Sequence, residues 1–327
     1  MKSIDLKDKK ILGEITENSR ISYTQLSKKV HLSKNAVKYR IDRLKNKEIV
    51  SQFTTIINLS ALNLNTTTLL IRFNEDIYEN KEVLNYFKNH RFANWLIVLS
   101  GQWDILVEFV IKDNNHLEEI ITEITKKFNN KINTYQTIFS MDIIKVKHTI
   151  PGIKPDLNYN KIKTEDRVKT KYKINDTDKK ILEILTKDST LPYMTIAKKT
   201  NTTIDIVRNR IKNLIDKKII IKFIADINLE KLDYTLYLQK IKLKNLSETK
   251  LKQLKKQIFY DKNITYAFFD PTSLNVLYIS AFKKSNDIDQ HTRSLRKSFS
   301  DIIEDQEYLL IKEELLFNLF PKGIHRL

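Results

Sequence analysis

Between Ser33 and Lys45 the chain gathers side chains suited to the edges and backbone of a nucleic acid. Lys34, Asn35, Lys38 and Tyr39 come first, then Arg40, Arg43 and Lys45. A lysine ammonium donates to the N7 and O6 acceptors of guanine, and an asparagine amide makes a two-bond pair with adenine. Arginines and lysines also neutralise phosphates, which sets affinity rather than sequence choice. A related run, Arg208, Asn209, Arg210 and Lys212, follows Ile204 and Asp205. Asp205 repels phosphate but accepts from cytosine, and Ile204 has no donor. The second run is therefore the weaker candidate. Gly101-Gln102-Trp103-Asp104 is a third cluster. Taken on residues alone, a glycine between two strands makes a tight turn.

Other chemistry is sparse. Cysteine is absent, and His31, His90, His116, His148, His291 and His325 form no metal-ligating pair on one helix face. Neither a catalytic site nor a metal site is expected. The only glycines are Gly13, Gly101, Gly152 and Gly323. They build neither a Walker loop nor a dinucleotide fingerprint, so no cofactor is expected. Trp95 and Trp103 read as strand packing and turn shielding.

The elements that must position these groups come in duplicate. Asp8-Lys9-Lys10-Ile11-Leu12 returns as Asp178-Lys179-Lys180-Ile181-Leu182, an offset of 170 that runs without gaps from Ile4/Ile174 to Leu62/Leu232. Roughly a third of those aligned positions are identical, which marks a tandem duplication. Each repeat opens with three short helical patterns. Ser33 is an N-cap candidate, and Val37, Ile41 and Leu44 form the buried seam of the third helix. A β-rich stretch from Ile49 to Ile56 follows, predicting a β-hairpin wing. The rest of each repeat reads β-α-β-β-α-β, with a single last strand from about 137 to 146 in the first copy. One apolar sheet face, carrying Leu69, Ile71, Ile97 and Val107 or their neighbours, needs a partner.

The fold class predicted is α+β, two winged helix-turn-helix domains alternating with two ferredoxin-like βαββαβ domains. The boundaries expected are 1–62, 66–150, a linker at 151–173, 174–232 and 234–327. The linker holds Pro151, Gly152 and Pro155. Its Lys161, Lys163, Arg167, Lys169, Lys171 and Lys173 read equally as phosphate contacts or as a solvated tether.

The net charge of +18, from 58 Lys and Arg against 40 Asp and Glu, points to a polyanionic partner. No apolar run is long enough to span a bilayer, so a membrane partner is not expected and a cytoplasmic, nucleoid-associated location is.

This layout resembles the Lrp/AsnC (feast/famine) family of transcription regulators. The likeness is carried by Asp5-Leu6-Lys7-Asp8-Lys9-Lys10-Ile11-Leu12, by Leu32-Ser33-Lys34-Asn35-Ala36-Val37-Lys38-Tyr39-Arg40-Ile41-Asp42-Arg43-Leu44, by Ile49-Val50 and by Gly101-Gln102-Trp103-Asp104. The resemblance implies several things. The third helix, from Ser33, is the DNA-recognition helix. The partner is double-stranded DNA, and the ferredoxin-like domains bind small effectors, often amino acids, and mediate self-association. Gly101, Gln102, Trp103 and Asp104 border the effector site, with Asp104 taking an amino group; the tight-turn reading stands beside it. The second copy lacks this Gly and Asp, which predicts a lost or altered effector site there. Fusion of two units makes the chain a built-in pseudo-dimer. Two other readings share the layout. One is a nucleoid-like architectural protein. The other is a sirohaem decarboxylase, which would require an Arg- and His-containing cluster near the wing and first strand. Residues 53–59 contain neither.

Overall fold

The computed structural model describes residues 4–78, 80–146, 151 and 173–327. All of the expected linker except Pro151 and Lys173 lies outside the described residues, and so do five of its six basic candidates.

The first repeat opens with α1 (Leu6–Glu17), α2 (Tyr23–Val30) and α3 (Lys34–Asn46). Local chemistry fixes each start. Asp5 caps α1 in a reciprocal box with Asp8, Ser22 caps α2 in a box with Gln25, and the Ser33 hydroxyl accepts from the Ala36 amide. Between α2 and α3, His31 turns the corner at a φ of 53°. The second repeat matches it with α6 (Asp176–Lys187), α7 (Tyr193–Thr200) and α8 (Ile204–Asp216), turning at Asn201. Val37, Ile41 and Leu44 are buried as expected, and so are Val207, Ile211 and Leu214.

The expected wing hairpin is replaced by a pairing between repeats. Strand β1 (Val50–Ile57) runs antiparallel to β7 (Ile220–Ile227), with Thr54 opposite its own counterpart Ile224. A pseudo-twofold axis therefore passes through this ribbon. The helices obey it as well. The Ser19 amide donates to the Phe223 carbonyl, the Ser189 amide donates to Phe53, and the Ser19 and Ser189 hydroxyls bond at 2.6 Å. A hairpin was expected because one apolar stretch was visible in each repeat and its partner lies 170 residues away.

Each helix-turn-helix core is completed by the other repeat. The first takes in Ala225, Ile227, Leu229 and Leu232. The second takes in Ile57, Ala61, Leu64 and Val110, with Phe320 and Ile324 from the C-terminal end. Burying a side chain of this kind stabilises by about 1.5–3 kcal/mol, so neither unit is whole by itself.

The remaining elements form one nine-stranded sheet. The first repeat supplies β2 (Asn65–Phe73), α4 (Lys81–Asn89), β3 (Ala93–Ser100), β4 (Ile105–Ile111), α5 (Asn114–Phe128), β5 (Ile132–Phe139) and β6 (Asp142–Val146). The second supplies β8 (Thr235–Leu243), α9 (Glu248–Tyr260), β9 (Ile264–Asp270), β10 (Asn275–Phe282), α10 (Ser285–Ser298) and β11 (Ile303–Phe317). The strand order is β5-β2-β4-β3-β11-β8-β10-β9-β6. Within it, β5-β2-β4-β3 and β11-β8-β10-β9 each show the ferredoxin-like order.

The last strand of each repeat crosses to the other. In the first repeat it is two strands, not one. β5 pairs with β2, the chain breaks near the exposed Met141, and β6 pairs with β9. In the second repeat β11 does both tasks unbroken, pairing with β8 and then with β3.

The two ferredoxin-like faces meet in a shared core of Leu70, Trp95, Ile97, Leu99, Leu106, Leu238, Phe268, Leu277 and Leu309. Ile97 lies on this face as expected. Leu69, Ile71 and Val107 lie on the opposite face, against α4 and α5. Strands β3 and β4 are buried on both faces, so apolar alternation gives no face assignment.

Candidate nucleic-acid interface

Helix α3 presents Lys34, Asn35, Lys38 and Tyr39 to solvent, with Tyr39 67% exposed. These groups sit at the open start of the helix, beyond the Ser33 cap. The cap occupies the Ser33 hydroxyl oxygen as acceptor for Ala36.

Arg40 and Arg43, expected at phosphates, are already engaged inside the protein. Arg40 Nη1 donates to Asp5 at 2.6 Å and to Asp8 at 2.8 Å, and Arg43 Nη2 donates to Asp8 at 2.5 Å. Asp8 is fully buried and also accepts from the Asp5 amide. A buried carboxylate requires such partners. The Arg40 guanidinium in turn holds the Asp5 carboxyl below the usual carboxylate range. The clamp therefore fixes α3 against α1. Lys45 lies 4.6 Å from the centre of the Phe53 ring.

The second face differs. Asp205 pairs with Arg208 at 2.8 Å along α8, and Arg208 lies over the Tyr193 ring. Asn209 and Lys212 are exposed, and Arg210 is 3.5 Å from the buried Asp178. Ile204 and Ile206 are also exposed.

Two contributors were not singled out from sequence. Arg20 Nη1 donates across the pseudo-dyad to the Ser189 and Leu191 carbonyls, and its guanidinium lies over Tyr193. Asp8 anchors the clamp described above. The signal for Asp8 was its identity with Asp178, and the signal for the axis contact was the identity of Ser19 with Ser189.

In the Gly101–Asp104 turn, Gly101 has a φ of 143°, and a Cβ there would lie 2.5 Å from Leu309. Both demand glycine. The Asp104 carboxylate accepts from the Phe73 amide at 2.6 Å, so one oxygen serves the turn itself. Trp103 is buried, its indole N–H has no acceptor among the described residues, and Lys240 lies 5.7 Å from the ring centre. Gln102 is exposed. The strands on either side of the turn meet it at an offset of 170, Ser100 with Asp270 and Ile105 with Asn275, which sets Pro271 opposite Gly101 and Leu274 opposite Asp104. The loss of both Gly and Asp stands. In the second repeat the Leu274 carbonyl accepts from the Leu243 amide, the counterpart of the Phe73 amide that Asp104 serves in the first.

Among the described residues, no group of three or more His, Cys, Asp or Glu is placed to hold a metal, and no helix is long and apolar enough to cross a membrane.

The fold and this face define a tandem helix-turn-helix protein built on a shared ferredoxin-like sheet. Residues 4–51 match the winged helix-turn-helix DNA-binding family, and residues 174–215 match the AsnC-type helix-turn-helix domain. An uncharacterized HTH-type transcriptional regulator of Pyrococcus furiosus is 30% identical over 149 residues, which cover 45% of this chain and 97% of the relative. A second regulator from that organism is 34% identical over 122 residues, covering 37% and 81%. The chain belongs to the Lrp/AsnC family of helix-turn-helix transcription regulators. The solved siroheme decarboxylase NirDL shares the whole architecture, with a TM-score of 0.65 over 98% of this chain and 96% of its own. Sequence identity there is 12%, so the likeness is one of fold.

Proposed function

We propose that this chain is a sequence-specific DNA-binding regulator, acting as a single-chain pseudo-dimer and not as an enzyme, with double-stranded DNA as its partner. The observation that carries the reading is the open face of α3, where Lys34, Asn35, Lys38 and Tyr39 are exposed and their helix is clamped from behind by Asp8. These four residues meet base edges. Ser33, Arg40, Arg43, Arg210 and Lys212 set position and backbone contact, and Arg208 and Asn209 belong to the second reading face. The domain limits given above are part of this reading, as is a cytoplasmic, nucleoid-associated location.

A small effector, amino acid or similar, is assigned to the first repeat at Gly101, Gln102, Trp103 and Asp104. The buried indole N–H of Trp103 is the donor left for it. Self-association of chains through the ferredoxin-like domains is also proposed, although one apolar face of each sheet is already covered within the chain.

Binding-site selection followed by hydroxyl-radical footprinting tests the main reading. The expected site has two unlike half-sites about 34 Å apart, one turn of duplex. A strictly symmetric selected site would overturn the reading of unlike half-sites by the two faces. Decarboxylation of an iron tetrapyrrole by the purified chain would overturn the non-enzymatic one.

A further inference from the structure

On α8 the first turn is capped by Thr203 and carries Ile204, Asp205 and Ile206. Ile204 is 39% exposed and Ile206 44% exposed, while the helix buries Val207, Ile211 and Leu214. Successive helical positions are about 100° apart, so the two isoleucines flank Asp205 on either side. The equivalent positions in the first repeat hold Lys34 and Ala36. The second repeat thus carries two branched apolar side chains in the exposed first turn of the helix where the first repeat has a cation and a small residue.

We infer that Ile204 and Ile206 read the C5-methyl groups of thymine, so that the half-site beneath α8 is rich in A·T pairs. The inference rests on the DNA-binding reading above. The thymine methyl is the one apolar group on the major-groove edge of the four bases. Exposed isoleucine gains by leaving water against it. The neighbours agree. Asp205 disfavours the N7 and O6 acceptors of guanine and accepts from the N6 amine of adenine as readily as from cytosine, and its charge is balanced by Arg208 at 2.8 Å. Asn209, exposed one turn further on, has the amide that pairs with adenine in two bonds. Electrostatics still favour a duplex as occupant, because residues 174–227 hold 11 Lys and Arg against 7 Asp and Glu. On α3 the same positions favour guanine through Lys34. The two half-sites therefore differ in a stated way.

The test uses the full chain and a duplex recovered by selection. Thymine is replaced by deoxyuracil, which lacks only the methyl, in one half-site at a time. The half-site in which replacing guanine by 7-deazaguanine no longer matters in Lys34→Ala lies beneath α3. In the other, each contacted methyl lost is expected to weaken binding by about threefold to tenfold. The double variant Ile204→Ala, Ile206→Ala is expected to bind thymine and uracil duplexes alike, and Ile204→Val to keep part of the difference. Both isoleucines are exposed, so melting curves of these variants should match the parent. Equal binding of thymine and uracil duplexes by the parent chain overturns the inference, as does discrimination that persists in the double alanine variant. Failure to bind any duplex at low salt overturns the DNA-binding reading instead.

Discussion

Replacing Lys34, Asn35 and Lys38 together by alanine is expected to lower affinity for the selected DNA site by roughly 100-fold or more. Each base or phosphate contact of this kind contributes about 1–3 kcal/mol. All three side chains are exposed and none has a role in the helix core. The change should therefore leave the unfolding midpoint where it was. Two ammonium groups leave the interface, so the slope of log affinity against log salt should fall by about 2. The matched change on α8, Arg208, Asn209 and Lys212 to alanine, is expected to cost less, about tenfold, because Arg208 already spends part of its charge on Asp205. Fluorescence anisotropy across a salt series measures both quantities. A triple variant that binds like the parent would remove α3 from the interface.

Asp8→Ala acts from behind that face, through stability. The substitution deletes an acceptor of the Asp5 amide, half of the capping box of α1 and the buried anion to which Arg40 and Arg43 donate. Leaving such partners unsatisfied costs about 2–4 kcal/mol. Part of this is recovered because the two guanidinium groups are near enough to the surface to reach water. Urea unfolding followed by circular dichroism should show the loss as a lower midpoint. Asp8→Asn, which keeps an acceptor for the caps but no charge, is expected to fall between. A loss below about 0.5 kcal/mol would mean that the clamp is ornamental.

Much of this was legible in the sequence because the chemistry is local. Ser33 caps the helix it was expected to cap, the seam of Val37, Ile41 and Leu44 is buried, and the repeat offset of 170 extends to the Gly101 turn, becoming 171 in the last strands. What was not legible depends on contacts made across that offset. No local pattern tells Val50–Ile57 that its partner is Ile220–Ile227, and none divides β5 from β6 at Met141. In strands buried on both faces, such as Ile105–Ile111, every residue is covered, so alternation assigns no face to Val107. On the candidate site, exposure of Lys34 and Lys38 followed from the helical period. The engagement of Arg40 and Arg43 by Asp8 did not, because a conspicuous basic run hides which of its members answer an acid 32 or 35 residues earlier.

The two repeats also show how one design diverges once its copies are joined. Both keep the pseudo-dyad contacts at Ser19 and Ser189, which a fused pair needs as much as a free dimer would. They differ at the solvent-facing surface of the third helix and at the Gly101 turn, which packs against Leu309 and Lys240 of the other copy.

We propose that this chain recognises DNA by sequence. That recognition is tested most directly by titrating the selected duplex and a scrambled duplex of the same composition with the full chain at about 0.15 M salt, where charge attraction between exposed groups is largely screened beyond ~8 Å. The expected result is a selected-site affinity about 1000-fold or more above the scrambled one. Equal affinities, both falling steeply with salt, would contradict it and leave an architectural DNA-coating protein in its place.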